Sequence, residues 1–95
     1  MTADLIVRVA SVFDVTIHDL TSASRARHIV YARQALMLLL RQHGYLSLAA
    51  IGQKLDRDHS TVLHGINAAI MRMATDARYA ALVCAARGEA VDGDE

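Results

Sequence analysis

Apolar residues recur at three- and four-residue intervals through most of the chain, and the breaks between them fall on small polar residues and glycine. This spacing commits one face of each helix to a core. Leu5, Ile6, Val9, Val12 and Phe13 share one face of a first helix, which Thr2 or Asp4 can cap. Val15 to Leu20 reads as a single helical turn, with Thr16 at the cap and Asp19 three residues later, a capping box using Asp in place of Glu. After the polar loop Thr21-Ser22-Ala23-Ser24, the longest helix is expected from Ala26 to about His43. There Ile29, Val30, Ala32, Arg33, Leu36, Leu39 and Leu40 combine a core stripe with a cationic edge. Gly44 is placed to stop that helix in a left-handed conformation.

Ser47 caps a shorter element that buries Leu48, Ile51 and Leu55 over two turns. A glycine inside a helix costs up to ~1 kcal/mol relative to alanine, so Gly52 is expected to permit close helix contact. The three-residue turn Asp56-Arg57-Asp58 leads into a further helix, with Val62, Leu63, Ile66, Ala69, Ile70 and Met73 directed at the core. A short helix, a tight turn and a longer amphipathic helix form the helix-turn-helix pattern. A last helix is expected through Ala77, Ala81, Leu82 and Ala85, capped by Thr75 or Asp76. The expected fold is therefore all-α, a compact bundle of five to six helices over residues 1–87, followed by an acidic disordered tail at 88–95. There is no internal repeat and no low-complexity tract.

Composition agrees. At 95 residues the chain has room for one domain with a modest core. It is 54% hydrophobic with one Phe and three Tyr, which suits closely packed helices more than sheets, and with no Pro the helices run uninterrupted. Cys84 is the sole cysteine, expected as a small buried hydrophobe, so no intrachain disulfide forms and a reducing cytoplasm fits. No apolar run approaches the ~20 residues needed to cross a bilayer. The start Met1-Thr2-Ala3-Asp4 lacks the basic segment of a secretory signal. A soluble, cytoplasmic protein with no membrane partner is expected.

The formal net charge is zero, but the charges are unevenly distributed. From residue 25 to 57, Arg25, Arg27, Arg33, Arg41, Lys54 and Arg57 stand against Asp56 alone, whereas residues 88–95 carry Glu89, Asp92, Asp94 and Glu95 with no cation. A basic middle is masked by acidic ends. The polar cluster Asp58-His59-Ser60-Thr61 opens the second helix of the motif, and it supplies acceptors, donors and a methyl group, the vocabulary that reads major-groove base edges. Each residue also has a plainer role. Asp58 serves equally as an N-cap accepting from the Thr61 amide, His59 as a solvated imidazole, and Ser60 and Thr61 as ordinary first-turn residues. Arg25 is either a solvated cation or a side chain able to enter a narrow minor groove. Arg33 and Arg41 are either a charged helix face or grips on successive phosphates, and His64 either donates to a phosphate or packs against the helix behind it.

Enzymatic readings fare poorly. Asp56, Asp58, His59 and His64 do not make a zinc helix, because histidines five residues apart lie about 140 degrees round the helix from one another. No glycine-rich phosphate loop with Lys-Ser/Thr exists. No catalytic residue, cofactor or metal is expected, and no ATPase activity.

Several motifs are more specific. Ile6-x-x-x-Ala10-x-x-Phe13-x-Val15, Asp19-Leu20-x-Ser22, Ala32-Arg33-Gln34, Ser47-Leu48-x-x-Ile51-Gly52 and Arg57-Asp58-His59-Ser60-Thr61-Val62-Leu63-His64 together resemble the C-terminal DNA-binding domain of the bacterial replication initiator DnaA. That domain is a Trp-repressor-like helix bundle whose helix-turn-helix binds a nine-base-pair origin sequence, the DnaA box. The resemblance implies that Asp58, His59 and Ser60 read bases in the major groove, that Thr61 supports base and phosphate contacts, and that Arg25 enters the adjacent minor groove. It also implies that Arg33, Gln34, Arg41 and Arg57 make or support backbone contacts, and that Leu48 and Ala49 approach the groove from the first helix of the motif. The chain departs from the family in three places. The turn before Arg57 is one residue shorter than the common Gly-Gly form, Tyr31-Ala32 replaces the frequent Arg-Pro, and Ser60 lacks a methyl.

The function implied is sequence-specific binding of double-stranded DNA at DnaA-box-like sites in the bacterial cytoplasm or nucleoid, regulating replication initiation or transcription without ATP hydrolysis. The alternative is a helical adaptor that keeps this fold and holds a protein partner through its exposed face or acidic tail.

Overall fold

Six consecutive residues, Ala35-Leu36-Met37-Leu38-Leu39-Leu40, are buried in the computed structural model, which describes residues 2–88. A helix buries consecutive positions only when neighbours cover it all round. That helix is α3 (Arg27–Gln42), and α1 (Thr2–Val12), α2 (Ile17–Thr21), α4 (Leu48–Leu55) and α5 (His59–Thr75) all pack on it. α6 (Ala77–Arg87) closes against α1 and α5. The expected all-α bundle of five to six helices is thus present with six, and no strand occurs among the described residues. The expected stripe on α3 understated its burial, because the sequence pattern cannot reveal how many helices surround it.

Caps define most of the boundaries. The α2 capping box forms as expected, with the Thr16 hydroxyl accepting from the Asp19 amide at 2.9 Å and the Asp19 carboxylate accepting from the Thr16 amide at 3.0 Å. Five residues are too few for a stable isolated helix, so α2 depends on this cap and on the fully buried Leu20. Ser47 caps α4, Asp58 caps α5 and Asp76 caps α6. Of the two residues proposed to cap the first helix, Asp4 lies inside its first turn, where a carboxylate complements the helix dipole. At the far end of α6, Arg8 donates through Nε to the Ala86 carbonyl at 2.7 Å, and Gly88 closes the helix with φ 80°.

Four sequence-based expectations need correction. The left-handed residue after α3 is Tyr45 (φ 55°) and not Gly44, whose amide still donates back to the Leu39 carbonyl at 3.3 Å, so the chain turns away one residue later than expected. Tyr45 tolerates this with its side chain in solvent. On α5, Val62, Ile66 and Ala69 are buried with Gly65, but Leu63 and Ile70 lie on the outer side, 44% and 47% exposed. The buried face of α6 is Tyr79, Val83 and Ala86, whereas Ala77, Ala81 and Ala85 are exposed. Alanines occur all round α6, so spacing alone did not select a face. Cys84 is only half-buried, and its Sγ accepts from Arg87 at 3.4 Å. The tail expected at 88–95 lies outside the described residues except for Gly88.

A polar corner ties α3, α5 and α6 together. The Tyr79 hydroxyl donates to the Tyr31 carbonyl at 2.8 Å, and the rings of Phe13 and Tyr31 meet Tyr79 edge-on at 5.8 and 6.1 Å. Burial raises the Tyr79 hydroxyl pKa above its ordinary value, with Arg72 acting in the opposite direction.

Candidate nucleic-acid interface

The turn between α4 and α5 fixes the direction of α5. Asp56 adopts a left-handed conformation (φ 56°), and the Arg57 amide donates to the Gly52 carbonyl at 2.9 Å. A Cβ on Gly52 would collide with the Arg57 carbonyl oxygen. The expectation that Gly52 permits close approach holds, but the partner is the backbone of the turn and not a helix. Asp58 then starts α5, its Oδ1 accepting from the Thr61 amide at 2.8 Å and from the Ser60 hydroxyl at 3.1 Å. Both of these bonds fall on one oxygen. Asp58, His59, Ser60 and Thr61 are all exposed.

These bonds hold the Asp58 carboxyl below its ordinary pKa, chiefly through the Thr61 amide, with smaller contributions from the Thr61 and Ser60 side chains and from His59, and with slight opposition from desolvation. A carboxylate whose pKa is depressed on folding stabilises the fold above the unfolded value, and the contribution is lost as pH falls through the folded value. The melting temperature of wild type should therefore fall faster than that of Asp58→Asn on acidification below about pH 4. Thermal melts of both proteins between neutral and strongly acidic pH check this, and parallel curves would contradict it. Asp19, with its pKa lowered by the Thr16 amide, responds in the same direction in both proteins.

The arginines separate into two kinds. Arg33 is 5% exposed, and its guanidinium donates to the carbonyls of Leu20 (2.9 Å), Asp19 (3.0 Å), Ser22 (3.0 Å) and Ser24 (3.3 Å). The reading of Arg33 as a phosphate grip is thus corrected to one of support. Four of its five N–H groups are spent on the α2–α3 connection. Burial, then repulsion from Arg57, draws its pKa down, and Asp19 opposes the shift. Arg57 also pins backbone, donating to Leu55 (3.0 Å), Asp56 (3.0 Å) and Ser22 (2.6 Å), which links the helix-turn-helix to the same connection. Arg25 is exposed in the 22–26 loop, with no hydrogen bond to the described residues. Arg41 is exposed at the end of α3 and donates to the Leu46 carbonyl at 3.0 Å.

Three shallow depressions meet at Arg57 and bring the candidates together. One carries Ala49 with Asp58 and His59, one carries Gln34 with Thr61 and His64, and one carries Arg25 with Arg33. Leu48 is half-buried against the core beside this surface, and Ala49 is exposed. Arg41, Leu48 and Ser60 line none of the three. His64 is exposed and lines the cleft between α3 and α5 with Gln34 and Met37. Arg72 was not among the sequence candidates. Its guanidinium lies 3.6 Å from the Tyr31 ring centroid and donates to Gln34 Oε1 at 2.8 Å. The signal was present in Tyr31 itself, where the frequent family arginine is missing from α3. α5 supplies a cation at the same corner. No cluster of metal-ligating side chains occurs among the described residues, and none of their helices is long and apolar enough to cross a membrane.

Comparison with known proteins agrees with this geometry. Residues 2–68 match the family described as the bacterial dnaA protein helix-turn-helix. The chromosomal replication initiator protein DnaA of Thermomicrobium roseum is 40% identical over 89 residues, 92% of this chain and 19% of that protein. The same protein of Oleidesulfovibrio alaskensis is 47% identical over 66% of the chain and 14% of its own length, and that of Nostoc punctiforme 51% identical over 59% and 12%. The chain therefore spans less than a fifth of the curated relatives it matches.

Proposed function

The chain belongs to the bacterial dnaA protein helix-turn-helix family, and from that premise we propose that it binds double-stranded DNA sequence-specifically at DnaA-box-like sites. Direct reading of base edges is assigned to Asp58, His59 and Ser60, with Thr61 and His64 on the same exposed side of α5. The single observation that carries this reading is the exposure of the α5 opening on a surface that adjoins, through Asp56 and Arg57, the depression carrying Arg25.

The physical logic is a division of labour. Cations and backbone amides position a duplex, and the short polar side chains at the helix start select among base pairs. Asp58 can stand near the polyanion because one carboxylate oxygen is hydrogen-bonded by the Thr61 amide and the Ser60 hydroxyl at the positive helix terminus, while the other is available to a cytosine amino group. With zero formal net charge, bulk attraction is weak and selectivity depends on base contacts. The nucleotide-dependent work of a full-length initiator lies outside this reading, which assigns regulation of replication initiation or of transcription by occupancy of the site.

Fluorescence-anisotropy titration with a DnaA-box duplex and a scrambled duplex of equal composition tests the proposal. Tighter binding to the box is expected, and His59→Ala should weaken the box complex by about 1–3 kcal/mol while leaving the scrambled complex unchanged. Equal affinity for both duplexes would remove the sequence-specific claim.

A further inference from the structure

We propose that Arg72 is a positioning residue that fixes the side-chain amide of Gln34 with its NH2 group presented as a donor to a DNA phosphate. The inference rests on the DNA-binding reading above and deepens it. A guanidinium has only donors, so the amide atom facing Arg72 Nη1 at 2.8 Å is the oxygen, Oε1. The nitrogen must then occupy the other branch of the planar amide, directed away from Arg72, and it donates to no atom of the described residues. The Gln34 side chain lies on the α3–α5 cleft with Thr61 and His64, and its Cγ lies 3.5 Å from where a Cβ on Gly65 would stand.

Arg72 is itself held in place. Its guanidinium stacks over the Tyr31 ring at 3.6 Å and lies 5.1 Å from that of Tyr79, while the Tyr79 hydroxyl donates to the Tyr31 carbonyl. Cation and aromatic face attract, and Tyr79 of α6 meets the Tyr31 ring edge-on at 6.1 Å, beside the cation and not behind the ring. α6 thus contributes to the interface without approaching DNA. A cation stacked on a ring and bonded to an amide is poorly arranged to grip a phosphate directly. Its expected role is to select one of the two amide orientations of Gln34, since the reversed one would set an NH2 group against the guanidinium and offer the phosphate an oxygen.

The test uses full-length protein and the DnaA-box duplex, with affinity measured across a salt series for wild type, Arg72→Met, Gln34→Met and the double variant. Arg72→Met should bind about 3- to 10-fold more weakly, the range of a lost neutral hydrogen bond. The slope of log K against log salt should stay at the wild-type value, and the double variant should be no weaker than Gln34→Met alone. A slope lower by about 0.9, or losses that add, would identify Arg72 as a direct phosphate contact and overturn the proposal. Unchanged affinity of Arg72→Met would overturn it as well. If Arg72→Met does not fold, Arg72→Lys keeps the charge but not the flat stacking, and the same criteria of affinity, slope and additivity apply to it. Failure of wild type to prefer the box duplex overturns the reading beneath, whereas box preference with an Arg72-independent affinity overturns only the positioning role.

Discussion

Arg33→Ala should lower the unfolding free energy by about 3 kcal/mol or more, since hydrogen bonds to a charged donor are each worth about 1.5–3 kcal/mol. The substitution removes four of them together and leaves the carbonyls of Asp19, Leu20, Ser22 and Ser24 without their common partner. A domain of this size has a total stability of about 5–15 kcal/mol, so the variant should melt far below wild type. Arg33→Lys should rescue little, because one ammonium cannot span the same carbonyls. Urea unfolding followed by circular dichroism measures this. A fully stable Arg33→Ala whose only defect is a reduced salt slope in DNA binding would return Arg33 to the phosphate-contact role.

Two alanine substitutions at glycines of the helix-turn-helix should have contrasting outcomes. Gly52→Ala gains helix propensity, yet its Cβ would overlap the Arg57 carbonyl, and backbone cannot move aside as a side chain can. A net loss of about 2 kcal/mol or more is expected, with the turn displaced and the start of α5 turned with it. Box affinity of the folded fraction should fall as well. At Gly65 the atom that a Cβ would meet is Met37 Sδ, part of a flexible thioether that can adjust. Gly65→Ala should therefore be near neutral, the gain of up to about 1 kcal/mol in helix propensity offsetting the repacking. Parallel urea melts of the two variants check this, and equal destabilisation would refute the distinction.

How much was legible in the sequence depends on the range of the interaction. Thr16, Ser47, Asp58 and Asp76 cap their helices through bonds to residues three positions away, so local pattern revealed the first three and narrowed the last to Thr75 or Asp76. The quartet Asp58 to Thr61 is legible for a related reason, since all four are polar and precede the first buried apolar residue of α5, Val62. Arg33 illustrates the opposite case. Its partners lie 9 to 14 residues back, and spacing alone presents it as one more cation on a helix edge. Arg72 is more distant still from Gln34, 38 residues along the chain, and the pairing was foreshadowed only by the unusual Tyr31. Leu63 and Ile70 were misread because, seven residues apart, they share one side of α5 next to the buried Val62, Ile66 and Ala69, so the apolar band is wider than the buried face.

The most direct test of the central claim is amide chemical-shift mapping of the labelled protein as a DnaA-box duplex is added. The account predicts that the largest changes fall on residues 57–64, on Arg25 and on the Gln34 side-chain amide, with little response from the outer faces of α1 and α6. Changes centred on those outer faces, or an identical pattern with a scrambled duplex, would contradict it.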